Sequence, residues 1–283
     1  MLCMKYIMKN ATSENTTYIL LSGLEVPLDI ALDENTRLLS ADTSRLNFET
    51  AIATCSRPDD ISVITAFIPR ITSQFKITAS TPQELAIRAW NSTWDALLLS
   101  AIFHIEVGFN IQSDTEASSI SAQTTLRATN FHFHGFQTSP YKLNADDVIW
   151  IKANFSEARR LLGNERFNTA VHCLASYRWH AMPRIQMAVL WAGIEGMFGA
   201  SSEIRFRISL YIARFLHPTD AKSRKEKFEL VKKLYKSRSS AVHGSKVKDN
   251  IAQAVKESAE LLGEIIRGVI EQKELPNEDE LAP

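Results

Sequence analysis

The sequence predicts an α+β first half followed by an all-helical second half. Before residue 140, segments rich in β-branched and aromatic residues suggest strands. Beyond it, apolar residues recur at helical spacing between punctuating glycines and prolines. Charge is uneven as well. Residues 201–250 hold 13 Lys/Arg against 5 Asp/Glu, a net of +8, and residues 251–283 hold 3 against 8, a net of −5.

In the first half, Thr17-Tyr-Ile-Leu-Leu21, Ile61–Ile68 and Phe75-Lys-Ile-Thr-Ala79 read as strands. Thr81-Pro-Gln-Glu84 is a capping box with Pro at the first helical position, and it predicts a helix running to about His104. Ile105–Ile111 and Thr124–Phe136 return to strand-like alternation, and the polar Gln112–Gln123 between them reads as a loop. In the second half, Asn144-Ala-Asp-Asp147 supplies an N-cap and first-turn carboxylates. Helices are expected near 146–162, 165–180, 184–198, 203–216, 220–237 and 248–273, separated by Gly163, Pro183, Gly199, Pro218 and Gly244. Short-looped amphipathic helices of this kind form bundles. The domains are therefore 1–143 (α+β), 144–273 (helical bundle) and 274–283, a frayed acidic tail.

The chain has 283 residues, 45% hydrophobic and 23% charged, enough for two ordinary domains or one large one with a buried core. Its formal net charge is zero, so bulk charge argues for neither nucleic acid nor membrane. Cys3, Cys55 and Cys173 are far apart and match no disulfide or zinc spacing. The N-terminus lacks a signal-peptide pattern, and the best apolar run, Ala96–Ile105, is too short to span a bilayer. A soluble cytoplasmic protein is expected. P-loop, Rossmann, GxSxG and HExxH patterns are absent from the sequence. Phe131-His-Phe-His134 puts two histidines on one strand face, with Cys55 or His104 as further ligands only if folding brings them in.

The stretch with the most chemistry is Arg238-Ser-Ser-Ala-Val-His243, followed by Gly244. Arg binds phosphate bidentately, and His moves protons near neutral pH. Spacing alone is weak evidence, because about 0.4 such matches are expected by chance and the chain has a second, Arg127–His132. Residues five apart on a strand point to opposite faces, so that second pair does not converge. Arg238 instead follows a long helix and a basic run that includes Lys232, Lys233 and Lys236. Ser239 and Ser240 offer hydroxyls to a phosphate.

Arg238–His243 resembles the R-x4–6-H signature of HEPN domains. Trp191-Ala-Gly-Ile-Glu-Gly-Met-Phe-Gly199, Ser202-Glu-Ile-Arg-Phe-Arg-Ile-Ser209 and Leu234–Gly244 together resemble the Apea-like HEPN group over roughly residues 145–273. The resemblance implies an all-α HEPN-type helical bundle and an endoribonuclease that needs no metal and no cofactor. It implies a homodimer with a composite active site that cuts RNA, tRNA among the candidates. Arg238 and His243 would be catalytic, with Arg238 on the scissile phosphate and His243 as general acid or base. Glu195 would orient one of them, and Lys232, Lys233 and Lys236 would bind RNA. The implied setting is prokaryotic anti-phage defence or a toxin system, with activity checked by an antitoxin or released by a phage-derived trigger. Where some family members carry Tyr two residues after the His, this chain has Ser245, which speaks against regulation by Tyr modification. The rival expectation is a catalytically inactive HEPN module that serves as an RNA-binding or protein-interaction scaffold.

Overall fold

The β-branched and aromatic run at Thr16–Ser22 becomes the central strand of a six-stranded sheet in a computed structural model of the chain. The structure describes residues 15–44, 46–55, 57–133, 139–199, 204–242 and 250–282. In chain order come β1 (Thr16–Ser22), β2 (Leu24–Glu25), β3 (Ile30–Ala31), β4 (Thr36–Ser40), α1 (Phe48–Ala53) and α2 (Asp60–Phe67). Next are β5 (Ile71–Thr78), α3 (Pro82–Phe103), β6 (Gly108–Ser113), β7 (Leu126–Ala128) and β8 (Tyr141–Lys142). The helices α4 (Ala145–Leu161), α5 (Glu165–Ser176), α6 (Pro183–Phe198) and α7 (Ile204–Leu216) follow. The last described helices are α8 (Ala221–Val242), α9 (Ile251–Gln272) and the short α10 (Glu278–Leu281). Contacts divide the chain into two units, Met1–Leu97 with Ile105–Ser156, and Leu98–His104 with Glu157–Pro283. The division foreseen between residues 143 and 144 followed composition. The contact division falls inside α4, which runs unbroken through it.

In the first unit the sheet order is β3-β4-β5-β1-β6-β7, with every neighbouring pair antiparallel. β1 pairs Ile19 with Phe75 on one side and Leu20 with Ile111 on the other. Thr17 through Leu21 are all buried, as a central strand covered on both faces requires. Two buried polar side chains on the sheet are linked to each other. The Gln112 amide donates to Thr17 Oγ1 at 2.9 Å, and Thr17 Oγ1 donates to the Ser113 carbonyl at 3.0 Å.

Four expectations for the first half need correction. Ile61–Ile68 is helical, not a strand: α2 and a following 3₁₀ turn occupy it. Its apolar residues Val63, Ile64 and Phe67 pack with Tyr18, Leu20 and Ile111 in one core cluster. A short apolar run fits a buried helix and a buried strand equally, so β-branching misled the reading. β6 starts only at Gly108 and continues to Ser113, into the expected loop. Within Thr124–Phe136 only Leu126–Ala128 is strand, and residues 134–138 lie outside the described residues. β3, β4 and α1 were not foreseen. The capping box does form: Glu84 N donates to Thr81 Oγ1 at 3.2 Å, and the Glu84 carboxylate reaches back to Ser80 N at 3.1 Å.

The turn after β1 depends on Gly23. Its φ of +84° is left-handed, and a Cβ there would sit 2.1 Å from the Glu106 carbonyl oxygen. No side chain fits that gap without moving backbone.

In the second unit most helices lie close to their expected bounds, but α8 runs five residues past its expected end at 237, so Arg238 lies within that helix and not after it. α6 packs against α5, α8 and α9. Trp191 of α6 is fully buried, donates Nε1–H to Ser258 Oγ of α9 at 3.1 Å, and meets the Tyr235 ring of α8 edge-on at 5.2 Å. Two residues on, Gly193 lets α6 approach its neighbours closely. A Cβ there would lie 3.0 Å from Cys173 Cβ and 3.1 Å from Leu262 Cδ2.

The acidic tail is not frayed. α10 forms within it behind an Asn277 cap, Pro276 is buried, and Arg214 donates to the Leu281 and Ala282 carbonyls at 2.8 and 2.6 Å. A guanidinium at carbonyls left over from a helix end is the favourable polarity, and composition alone did not reveal it.

Two substitutions test these contacts by urea denaturation. Gly23→Ala is expected to cost more than about 2 kcal/mol, from left-handed strain plus the carbonyl clash. Trp191→Ala is expected to cost about 3–5 kcal/mol, the range for emptying a large aromatic site.

Candidate functional site

Arg238 sits on α8, about one turn before the helix ends at Val242. Leu234, Ser237 and Ala241 bury one face of that helix, and Arg238 lies at the edge of that face, beside α6. There its Nη2 lies 3.0 Å from both carboxylate oxygens of Glu195 and hydrogen-bonds to Oε2. The two side chains are only 22% and 27% exposed, so this is a shielded interhelical pair. The contact is one-sided. Glu195 Oε1 and Arg238 Nε are both buried and make no hydrogen bond among the described residues.

The Arg238 guanidinium also lies over the Tyr235 ring, 5.6 Å from its centroid. Tyr235 in turn meets Trp191. Core indole, phenol, guanidinium and carboxylate thus form a continuous line. Burial pushes the Glu195 carboxyl above its ordinary range, and Arg238 only partly offsets this. Burial, followed by the nearby Glu195 charge, pushes the Tyr235 phenol up, against the pull of Arg238.

A second cation braces the same helix end. Arg184, in the first turn of α6, donates Nη1–H to the carbonyls of Ser240 (3.3 Å) and Ala241 (2.8 Å). These belong to the last described turn of α8. Sequence reading passed over Arg184 and Tyr235. Tyr235 could have been found from its position three residues before Arg238 on one helix face. Arg184 carried no local signal.

The remaining expected site residues divide differently. His243 and Gly244 lie outside the described residues, so the pairing of Arg238 with His243 has no geometry here. Glu195 does meet Arg238. Lys232, Lys233 and Lys236 do not share its face. At about 100° per residue they stand roughly 120°, 140° and 160° away from it. Lys232 turns to Glu229 (3.6 Å) and lies over the Phe228 ring at 5.5 Å. Lys233 and Lys236 are exposed. Ser239 and Ser240 are half-buried and step about 100° and 200° round the helix from Arg238.

Outside this site, no group of three or more His, Cys, Asp or Glu that could hold a metal occurs among the described residues. Cys55 and His132 belong to the first unit and His104 to the second, while His134 lies outside the described residues. Burial and Asp60 raise the Cys55 thiol, the wrong direction for a thiolate ligand. No helix among the described residues is long and apolar enough to cross a membrane. Comparison with protein-family models, curated proteins and solved structures finds no match to this chain.

The raised Glu195 carboxyl has a readable sign. An acid whose folded pKa is raised contributes stability below its ordinary pKa and loses it as pH rises through the raised value. Glu195→Gln cannot charge. The melting temperature of wild type minus that of Glu195→Gln is therefore expected to fall as pH rises through that window. In Arg238→Ala the Glu195 carboxyl is expected to titrate at still higher pH, checked by carboxyl carbon NMR, because the one charge holding it down is gone.

Proposed function

We propose that this chain is a metal-independent endoribonuclease of the HEPN type, acting as a homodimer. The supporting observation is the shielded Arg238–Glu195 pair on the last turns of α8, five residues before His243. A guanidinium held from one side by a carboxylate is already oriented, and its remaining N–H groups suit a phosphate. In the proposed reaction the RNA 2′-OH attacks the adjacent phosphorus. The O2′–P bond forms and the P–O5′ bond breaks. One His243 takes the 2′-OH proton, and the partner's His243 returns a proton to the leaving 5′-oxygen. Arg238 offsets the charge that builds on the non-bridging oxygens. The products carry a 2′,3′-cyclic phosphate and a 5′-OH. Glu195 keeps Arg238 in place, as a positioning residue. The first unit is proposed to sense a trigger or partner in a prokaryotic anti-phage or toxin setting.

A second reading rests on the same contact. Arg238 already has a carboxylate partner, as structural interhelical cations do. The chain would then be a catalytically silent module that binds RNA or protein.

One assay separates the two readings. Purified protein is incubated with tRNA and total RNA in EDTA, and the products are mapped for cyclic-phosphate ends. The ribonuclease reading expects wild-type cleavage, reduced about 10²–10³-fold in Arg238→Ala and about 10²–10⁴-fold in His243→Ala. Glu195→Gln should fall less than Arg238→Ala. Cleavage equal in all the variants, or absent from wild type with and without activating partners, sinks it.

A further inference from the structure

Lys232, which turns away from Arg238, borders a different feature. Beside Lys232 is an open groove of about 380 Å³ lined by Ile204, Arg205, Phe206 and Lys232. That volume falls within the roughly 300–1,000 Å³ of small-ligand clefts. Its four described lining residues are two apolar and two cationic, and beside them Glu229 pairs with Lys232 at 3.6 Å, leaving the surrounding charge positive. Phe206 is 53% exposed, unusual for a large aromatic residue, and is held edge-on at 5.8 Å by Phe228. Phe228 carries Lys232 over its ring. The Phe206 ring is therefore fixed in place while much of its surface remains in water.

The ligand chemistry follows. A flat apolar face wants an aromatic or heterocyclic ring, and a cationic rim wants an anion. The basic surface also extends beyond the groove. Lys225 and Lys236 lie within about 40° of Lys232 round α8, one about 10 Å before it and the other about 6 Å after it along the axis. Both are exposed. A single mononucleotide would use the groove alone, whereas a strand would use the stripe too. We infer that the Phe206 groove stacks a base of single-stranded RNA while Arg205, Lys232 and the flanking lysines hold its phosphates. This inference rests on reading the chain as RNA-directed and adds strand selectivity to it. A duplex keeps its bases stacked on one another, so it cannot offer one to Phe206.

The test uses the full chain carrying Arg238→Ala, in EDTA, so that binding is read without cleavage. A short labelled single-stranded RNA is titrated by fluorescence anisotropy at several salt concentrations. Adding Phe206→Ala is expected to weaken binding roughly tenfold, and Phe206→Trp to retain it. Lys232→Gln is expected to lower the slope of log affinity against log salt by about 0.7, one single-strand phosphate contact. Affinity for a duplex of the same sequence should not respond to Phe206→Ala. Phe206 is largely exposed, and matching thermal melts would exclude misfolding as the cause. The inference is overturned if the parent does not bind single-stranded RNA, or if Phe206→Ala binds it as tightly as the parent. Displacement of the strand by uridine monophosphate at equal nucleotide concentration also overturns it, in favour of a mononucleotide site. A sedimentation change in Phe206→Ala with RNA affinity intact overturns it too, and makes the groove a protein-binding face. Failure of the cleavage assay leaves this result standing, because it is measured in a background built to lack cleavage.

Discussion

The second unit is organised around one buried indole. Trp191 lies in α6, the helix that touches α5, α8 and α9, and it joins two of those neighbours directly. Its N–H must find an acceptor once buried, and Ser258 supplies one. Its edge must find a partner as large as itself, and Tyr235 supplies that. The position of Tyr235 then sets that of Arg238, three residues along the same helix. Glu195, one turn beyond Trp191 on α6, arrives beside Arg238 for the same reason. The polar pair is thus a consequence of the apolar packing beneath it.

That dependence explains why the fold was more legible than the site. Helix bounds in the second half follow from local signals: Asn164 and Asn250 cap α5 and α9 through their side chains, and Pro183 stands at the first turn of α6. The first half was harder. Its strands are short, and their partners lie far away in sequence. β1 pairs with β5 residues 49 to 62 positions distant, and nothing local announces it. Ile61–Ile68 shows the limit sharply. The residues favour a strand, yet docking on Tyr18, Leu20 and Ile111 makes a helix the better way to bury Val63, Ile64 and Phe67 together.

At the site, residue types were readable and directions were only half used. Glu195 could be placed near Arg238 from spacing on two helices. Lys232, Lys233 and Lys236 stand on other faces of α8 than Arg238, a separation that 3.6 residues per turn already implies. Arg184 was invisible because its role is to cap another helix, and the acceptors it meets are backbone carbonyls that carry no residue identity.

Arg184 and Glu195 together give α6 an unusual mechanical position. They hold α8 at two places, Arg238 and the Ser240–Ala241 carbonyls, only a few residues apart. The last described turns of α8 are therefore splinted to α6, so a roll of α6 about its own axis would carry Arg238 with it and leave the earlier turns of α8 behind.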